Sequence, residues 1–280
     1  MNKPSQYLRL ALLQLKRFRN REENLEVVTR KIEAVMEDQK PRLICLSENF
    51  TRSSGFHRDP ENVRDGYCFQ RLPELARKHE VYIVGGTIPE KGQNDEVYGA
   101  CTVWDPKGRL VAKYRKVHLA DLYVKAGFTY LESARFTAGN EFSIFEVDGH
   151  KIGLGVCHDL RFEEMARGYR NAGCEMLIYP SDFADYTGFK YMELLQRSRA
   201  NDNQLYVVTC APAFDPTAKH FSFGHSMVVD PWARVQVCAG EDETTVVTDI
   251  DFSLVKKVRE ELPIFGQRRL DLYPKAKEMS

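Results

Sequence analysis

Apolar positions along the chain switch period repeatedly, between the two-residue alternation of strands and the wider spacing of amphipathic helices. Residues 8–15, LRLALLQL, predict a core strand, and residues 21–38 place Leu25, Val28, Ile32 and Val35 on one helical face. Beyond Pro41 the run 43–49, LICLSEN, predicts a buried strand. A helix over 68–80 then leads to a strand at 81–88 that carries Gly85-Gly86. YGACTVWD and RLVAKYRK, joined through Asp105-Pro106-Lys107-Gly108, predict a hairpin. A second hairpin is predicted in FSIFEVDGHKIGLGVC, where Asp148-Gly149 suits a two-residue turn. The pattern continues as a helix at 162–172 stopped by Gly173, a strand at 176–181, a helix at 189–202 and a strand at 205–212. HSMVVDPW with RVQVCAG predicts a third hairpin, followed by a strand at 244–251 and a short helix at 253–261. Residues 263–280 are polar and irregular and read as a docking tail.

Strands, hairpins and helices in this mixture predict an α/β architecture with a mixed sheet or two sheets, not a purely parallel one. No repeat or low-complexity linker divides residues 1–280, so a single domain is expected. Forty basic and 40 acidic residues cancel, which removes any net field for nucleic acid or an anionic membrane surface. No apolar run approaches the roughly 18 residues of a transmembrane helix. The N-terminal stretch is broken by Arg9, Gln14 and Lys16 and reads as a strand rather than a signal peptide. Seven scattered cysteines without a C-x-x-C pair predict a reduced, cytoplasmic protein and no zinc site. Gly153-Leu154-Gly155 begins like a dinucleotide motif, but His158 stands where its third glycine belongs. Neither a phosphate-binding G-K-[ST] nor H-E-x-x-H occurs.

One thiol differs from the other six. Cys157 sits where the strand pattern KIGLGV meets the helical pattern DLRFEEMARGY. It is either a buried packing cysteine at a helix start or a nucleophile, since a helix N-terminus favours a thiolate and offers N–H groups to an oxyanion. The adjacent His158 points elsewhere by local geometry, so its contribution is its backbone N–H or a place in the pocket lining. His118 and His225 are alternative partners that nothing in the sequence orients. Glu48 closes a buried strand and is either an ordinary charge surfacing at the strand terminus or a carboxyl that desolvation raises towards neutrality and suits to general-base work. Lys116, in KYRKVHL, is either one of several solvated cations or a stabiliser of negative charge.

The ordered segments LSEN, YRKVHL and GLGVCHDLRF resemble the nitrilase, or carbon–nitrogen hydrolase, superfamily, and LLQRSRANDNQLYVV, GHSMVVDPW and LPIFGQRRLDLY extend the likeness over roughly residues 8–273. The Nit-type amidases are the most similar branch. This resemblance implies a four-layer α-β-β-α sandwich and a Glu48–Lys116–Cys157 triad, with Glu132 as a second glutamate and the His158 N–H in the oxyanion site. It further implies a homodimer or larger homo-oligomer, a small-molecule amide as substrate, and no metal or cofactor. Several neighbours depart from the family pattern: Ser47 replaces proline before the glutamate, His158 replaces Tyr or Trp, and Asp182-Phe183-Ala184 replaces A-F-N.

These departures point to altered substrate preference. The expected function is a cysteine amidohydrolase acting on a small linear amide, with a 2-oxo acid amide as the favoured substrate. An acyltransferase and a non-catalytic binding protein of the same fold are the alternatives. Arg161 is a candidate carboxylate ligand or a brace for the turn with Asp159. Phe183, Ala184 and Phe189, with Tyr186, are candidate pocket residues, with packing in the core as the alternative reading of the aromatic ones.

Overall fold

In the computed structural model, which describes residues 5–18, 20–51, 60–124, 128–217 and 221–273, strand β1 (Tyr7–Gln14) is buried on both faces. Leu8, Leu10 and Leu12 enter one apolar cluster, and Ala11 and Leu13 enter another. A two-residue period with apolar side chains at both phases is what a strand inside a layered stack requires. The chain continues through α1 (Arg21–Asp38), β2 (Leu43–Leu46), α2 (Tyr67–Lys78), β3 (Tyr82–Val84), β4 (Ile88–Lys91), β5 (Val97–Trp104) and β6 (Leu110–Arg115). Next come β7 (Asp121–Val124), β8 (Phe128–Leu131), β9 (Ser143–Val147), β10 (His150–Leu154), a 3₁₀ turn (Cys157–Arg161), α3 (Glu163–Asn171) and β11 (Met176–Pro180). The last elements are α4 (Asp185–Asn203), β12 (Tyr206–Cys210), β13 (Met227–Val229), β14 (Val235–Cys238), β15 (Thr244–Asp251) and α5 (Ser253–Glu261).

Two large sheets result. One runs β15-β1-β2-β3-β5-β4 with β6 on β5; the other runs β14-β13-β12-β11-β10-β9. Each has a parallel centre, β1-β2-β3 and β10-β11-β12, flanked by antiparallel strands. Helices α1 and α2 cover the first sheet through Leu25, Ile32, Phe69 and Leu72. Helices α3 and α4 cover the second through Met165, Tyr169 and Met192. The order is helix, sheet, sheet, helix, as expected of an α-β-β-α sandwich.

The glycines before Cys157 have a packing reason rather than a nucleotide-binding one. A Cβ on Gly153 would lie 2.6 Å from Tyr169 Cγ and 2.7 Å from Leu177 Cδ2, and one on Gly155 would run into the Tyr179 ring. The bare backbone admits aromatic rings from α3 and β11, drawing the second sheet and its helices together just before the thiol.

Some boundaries differ from the sequence pattern. The strand expected at 81–88 divides into β3 and β4 because Gly86, at φ +57°, turns the chain so close to the Ser47 carbonyl that no Cβ fits. Helix α4 begins four residues before the expected position, since Ala184 already accepts from the Gly188 N–H at 2.7 Å. The β7–β8 hairpin has no counterpart in the sequence reading, its four-residue strands being too short for a clear period. Residues 263–273 form irregular turns after α5, and the rest of the expected docking tail lies outside the described residues. Among the described residues, no helix is long and apolar enough to cross a membrane.

Gly153→Ala is expected to destabilise the protein by about 1–3 kcal/mol through overpacking against Tyr169 and Leu177. Thermal unfolding checks this; an unchanged melting temperature would contradict the packing account.

Candidate active site

Glu48 stands just beyond β2, where the chain turns through Asn49 at φ +54°. The Asn49 N–H donates to Thr87 Oγ1 at 2.8 Å, holding the turn against the segment after Gly86. The Glu48 side chain is left only 4% exposed. Lys116 follows β6 and continues its alternation. Lys113 and Arg115 both reach Glu90 at 2.7 Å, whereas Lys116 faces inward and is 3% exposed. Its backbone is held at both ends, the N–H donating to Gly99 O at 3.0 Å and the carbonyl accepting from Gly139 N–H at 2.8 Å. Glu132 comes after β8 and is anchored by the Ala120 N–H, which donates to Oε2 at 2.6 Å.

These three side chains meet. Lys116 Nζ lies 2.8 Å from Glu48 Oε1 and 2.9 Å from Glu132 Oε2. Burial raises the Glu48 carboxyl to about 7, against the pull of Lys116, with Glu132 and Asp182 pushing the same way as burial. Burial alone would drive Lys116 to lose its proton, but Glu132 and Glu48 overcome it and hold the ammonium well above its ordinary value. Cys157 joins the group from the other sheet, after β10. It is buried and its backbone lies at φ +44°, a strained conformation for a residue with a Cβ.

Burial and the neighbouring Glu48 push the Cys157 thiol well above its ordinary value, while Lys116 and a hydrogen bond from the Asp182 backbone N–H pull it down. The resting sulfur is therefore a thiol, not the thiolate expected from a helix N-terminus. The helical element starting at Cys157 is only a five-residue 3₁₀ turn, too short for a strong dipole to offset desolvation. A neutral thiol, a carboxyl that ionises near neutral pH and a fixed ammonium are the components of covalent acyl chemistry.

The remaining candidates divide. His158 is half-buried beside the cluster; burial, then Lys116 and Arg161, lower its imidazole to about 4, so it is neutral at pH 7. Arg161 does not brace the turn through Asp159. Its guanidinium lies 5.0 Å from the Tyr191 ring centre and 5.9 Å from that of Phe183, with Nε buried and unpaired. Arg199 supports the turn instead, donating to the carbonyls of Leu160 and Arg161. Phe183 is buried next to Asp182, and Ala184 caps α4 at the surface, bridged to Ser222. Phe189 is 80% exposed and lines an open groove along α4 with Lys190, Glu193 and Leu194, away from the thiol cluster. Tyr186 is exposed as well. A helical spacing of aromatic residues does not by itself reveal which face has a covering neighbour.

His118 and His225 are both engaged elsewhere. The first reaches Asp159 Oδ1 through Nδ1 at 2.7 Å and stacks on Phe162; the second reaches the Phe223 carbonyl and stacks on that ring. Cys238 is exposed, unlike the five cysteines that pack in the interior with no evident chemistry. Two contributors were missed by sequence reasoning. Asp182 accepts from Arg17 at 2.5 Å and from Ser222 at 2.6 Å, forming a polar wall whose backbone meets the sulfur. Asp159 ties the thiol turn to the lysine segment. The departure at Asp182 from the family segment was the available signal for the first; for the second the sequence offered only a bracing contact with Arg161. Among the described residues, no group of three or more His, Cys, Asp or Glu side chains is placed to hold a metal ion.

The carbon-nitrogen hydrolase family model matches residues 9–260. Human omega-amidase NIT2 is 41% identical over 269 residues, covering 95% of this chain and 96% of that protein. Saccharomyces cerevisiae Nit3, a member of branch 10 of the nitrilase superfamily, superposes with a TM-score of 0.87 at 32% identity, over 96% of this chain and 99% of its own. The C. elegans NitFhit protein superposes with a TM-score of 0.88 at 31% identity, over 98% of this chain and 67% of its own. With the family match running from the first strand to the last helix and carrying both sheets of the sandwich, the chain belongs to the carbon-nitrogen hydrolase family.

Proposed function

We propose that this protein is a cysteine-dependent amidohydrolase that releases ammonia from a small linear amide, with a 2-oxo acid amide of the omega-amidase kind as substrate. The observation carrying this reading is the convergence of Lys116 with Glu48 and Glu132 beside the strained Cys157. The similarity to human omega-amidase supports the substrate class.

In the proposed reaction, ionised Glu48 takes the Sγ proton as the sulfur attacks the amide carbon. Lys116 and the His158 backbone N–H stabilise the oxyanion, in place before charge develops. As the tetrahedral intermediate collapses, Glu48 passes its proton to the leaving nitrogen and ammonia departs, leaving a thioester on Cys157. Glu48 then takes a proton from water, the hydroxide attacks the thioester, and the expelled sulfur regains that proton. Glu132 holds Lys116 together with Glu48 and helps to position substrate and water.

The whole chain is read as one catalytic domain, because neither sheet holds the full set: Glu48 and Lys116 follow strands of the first, Cys157 a strand of the second. Exposed Phe189 and Leu194 on α4 support a homo-oligomer. Seven free thiols support a reducing, cytoplasmic setting.

Cys157→Ala is expected to abolish ammonia release from 2-oxo acid amides, and Glu48→Gln to lower kcat by about 10²–10⁴-fold while leaving a folded protein. Undiminished ammonia release by a folded Glu48→Gln variant would overturn the assigned base. For the wild type, kcat/KM should rise with pH as Glu48 ionises, with a midpoint near its value of about 7, and then level off. A pH-rate series that is flat from about pH 5 to 8 would contradict that assignment.

A further inference from the structure

Asp159 has no direct part in the proposed chemistry, yet its fully buried carboxylate collects four hydrogen bonds from two segments of chain. Oδ2 accepts from the Val156 N–H at 2.8 Å, within the thiol turn, and from the Tyr114 hydroxyl at 2.7 Å. Oδ1 accepts from the His118 N–H at 2.9 Å and faces His118 Nδ1 at 2.7 Å. The Tyr114 oxygen in turn accepts from the Val117 N–H at 3.2 Å. The groups so tied, at 114, 117 and 118, flank Lys116 on both sides.

The two segments belong to different sheets. Tyr114 is on β6 of the first sheet, and Val156 and Cys157 follow β10 of the second. The backbone bonds of Lys116 to Gly99 on β5 and to Gly139 before β9 hold its main chain, but do not reach the turn that carries the sulfur. Asp159 spans that gap.

We propose that Asp159 is a positioning residue that sets the Lys116 ammonium, and through it Glu48, against Cys157 by clamping the lysine segment to the thiol turn. This rests on the reading of Cys157 and Glu48 as nucleophile and base. A carboxylate suits the task because all the groups it faces are donors. Asparagine has only one acceptor oxygen, and its amide nitrogen would confront either Tyr114 and Val156 or the two His118 donors. The Val156 and His118 backbone N–H groups cannot accept, so Asp159→Asn breaks one arm whichever way the amide turns.

The test compares wild type, Asp159→Asn and Tyr114→Phe for ammonia release across pH, alongside thermal unfolding. The expected result for Asp159→Asn is a fall in kcat of about 10–100-fold, from misplacement on the ångström scale, with KM little changed. Lys116 holds the Glu48 carboxyl down, so loosening it lets that carboxyl rise. The acid limb of kcat/KM should therefore move to higher pH, by about half a unit or more. Tyr114→Phe, which removes one arm and leaves the carboxylate, should shift both quantities in the same direction by less, and serves alone if Asp159→Asn does not fold. An acid limb unmoved in the folded variants, with activity lost only in proportion to folded protein, would overturn the proposal and leave Asp159 a structural residue. Failure of the underlying reading is distinguishable, because wild-type ammonia release would then be indifferent to Glu48→Gln.

Discussion

A single ammonium buried between two carboxylates is the constraint around which the site is organised. Lys116 has 3% of its surface exposed, and Glu48 and Glu132 have 4% and 5%. An ion set this dry is stable only when its members neutralise one another, and removing one partner from such a pair costs about 3–5 kcal/mol. The cation keeps its proton because two carboxylates face it. Glu48, by contrast, feels burial and a second carboxylate against one cation, and ends near neutrality. One arrangement thus gives a permanent positive charge and a carboxyl poised to exchange a proton.

That balance decides how the thiol is activated. Burial disfavours a thiolate at rest, the nearby Glu48 and Asp182 charges add to that, and the sulfur accordingly keeps its proton. In the proposed reaction, activation is therefore coupled to attack, with proton transfer to Glu48 as the carbon–sulfur bond forms. The left-handed backbone at Cys157 presents this sulfur from a tight turn, and such strain persists only where the surroundings over-determine it. Here they include the Asp159 carboxylate, the two Arg199 bonds to the turn's carbonyls, and the Tyr169 and Tyr179 rings seated on the glycines before it.

Much of the layered fold was legible in the amino-acid pattern because local physics dictates it. The Leu25–Val28–Ile32–Val35 stripe places α1, and the two-phase apolar pattern of β1 requires cover on both sides. Asp148-Gly149, both at positive φ, makes the turn between β9 and β10. Glu48, Lys116 and Cys157 were legible as a family pattern, and Glu48 also through the apolar run before it. Relations across the sheets were not. Nothing near Asp159 indicates that its partners lie 41 and 45 residues away, and Arg161 was the plausible local partner in their place. The protonation of Cys157 was misjudged for the same reason, since local helix geometry favours a thiolate while the burial that opposes it comes from distant elements. Phe189 was misplaced because its environment is set by what does not cover α4.

The central claim is that Glu48 serves as the proton acceptor for Cys157 in a shared buried site. The most direct measurement is the rate of Cys157 alkylation by iodoacetamide as a function of pH, followed by intact mass, in the wild type and in Glu48→Gln. The wild-type rate should rise with a midpoint near the Glu48 value of about 7, and the variant should lose that rise and react only at much higher pH. Superimposable profiles for the two proteins would contradict the account.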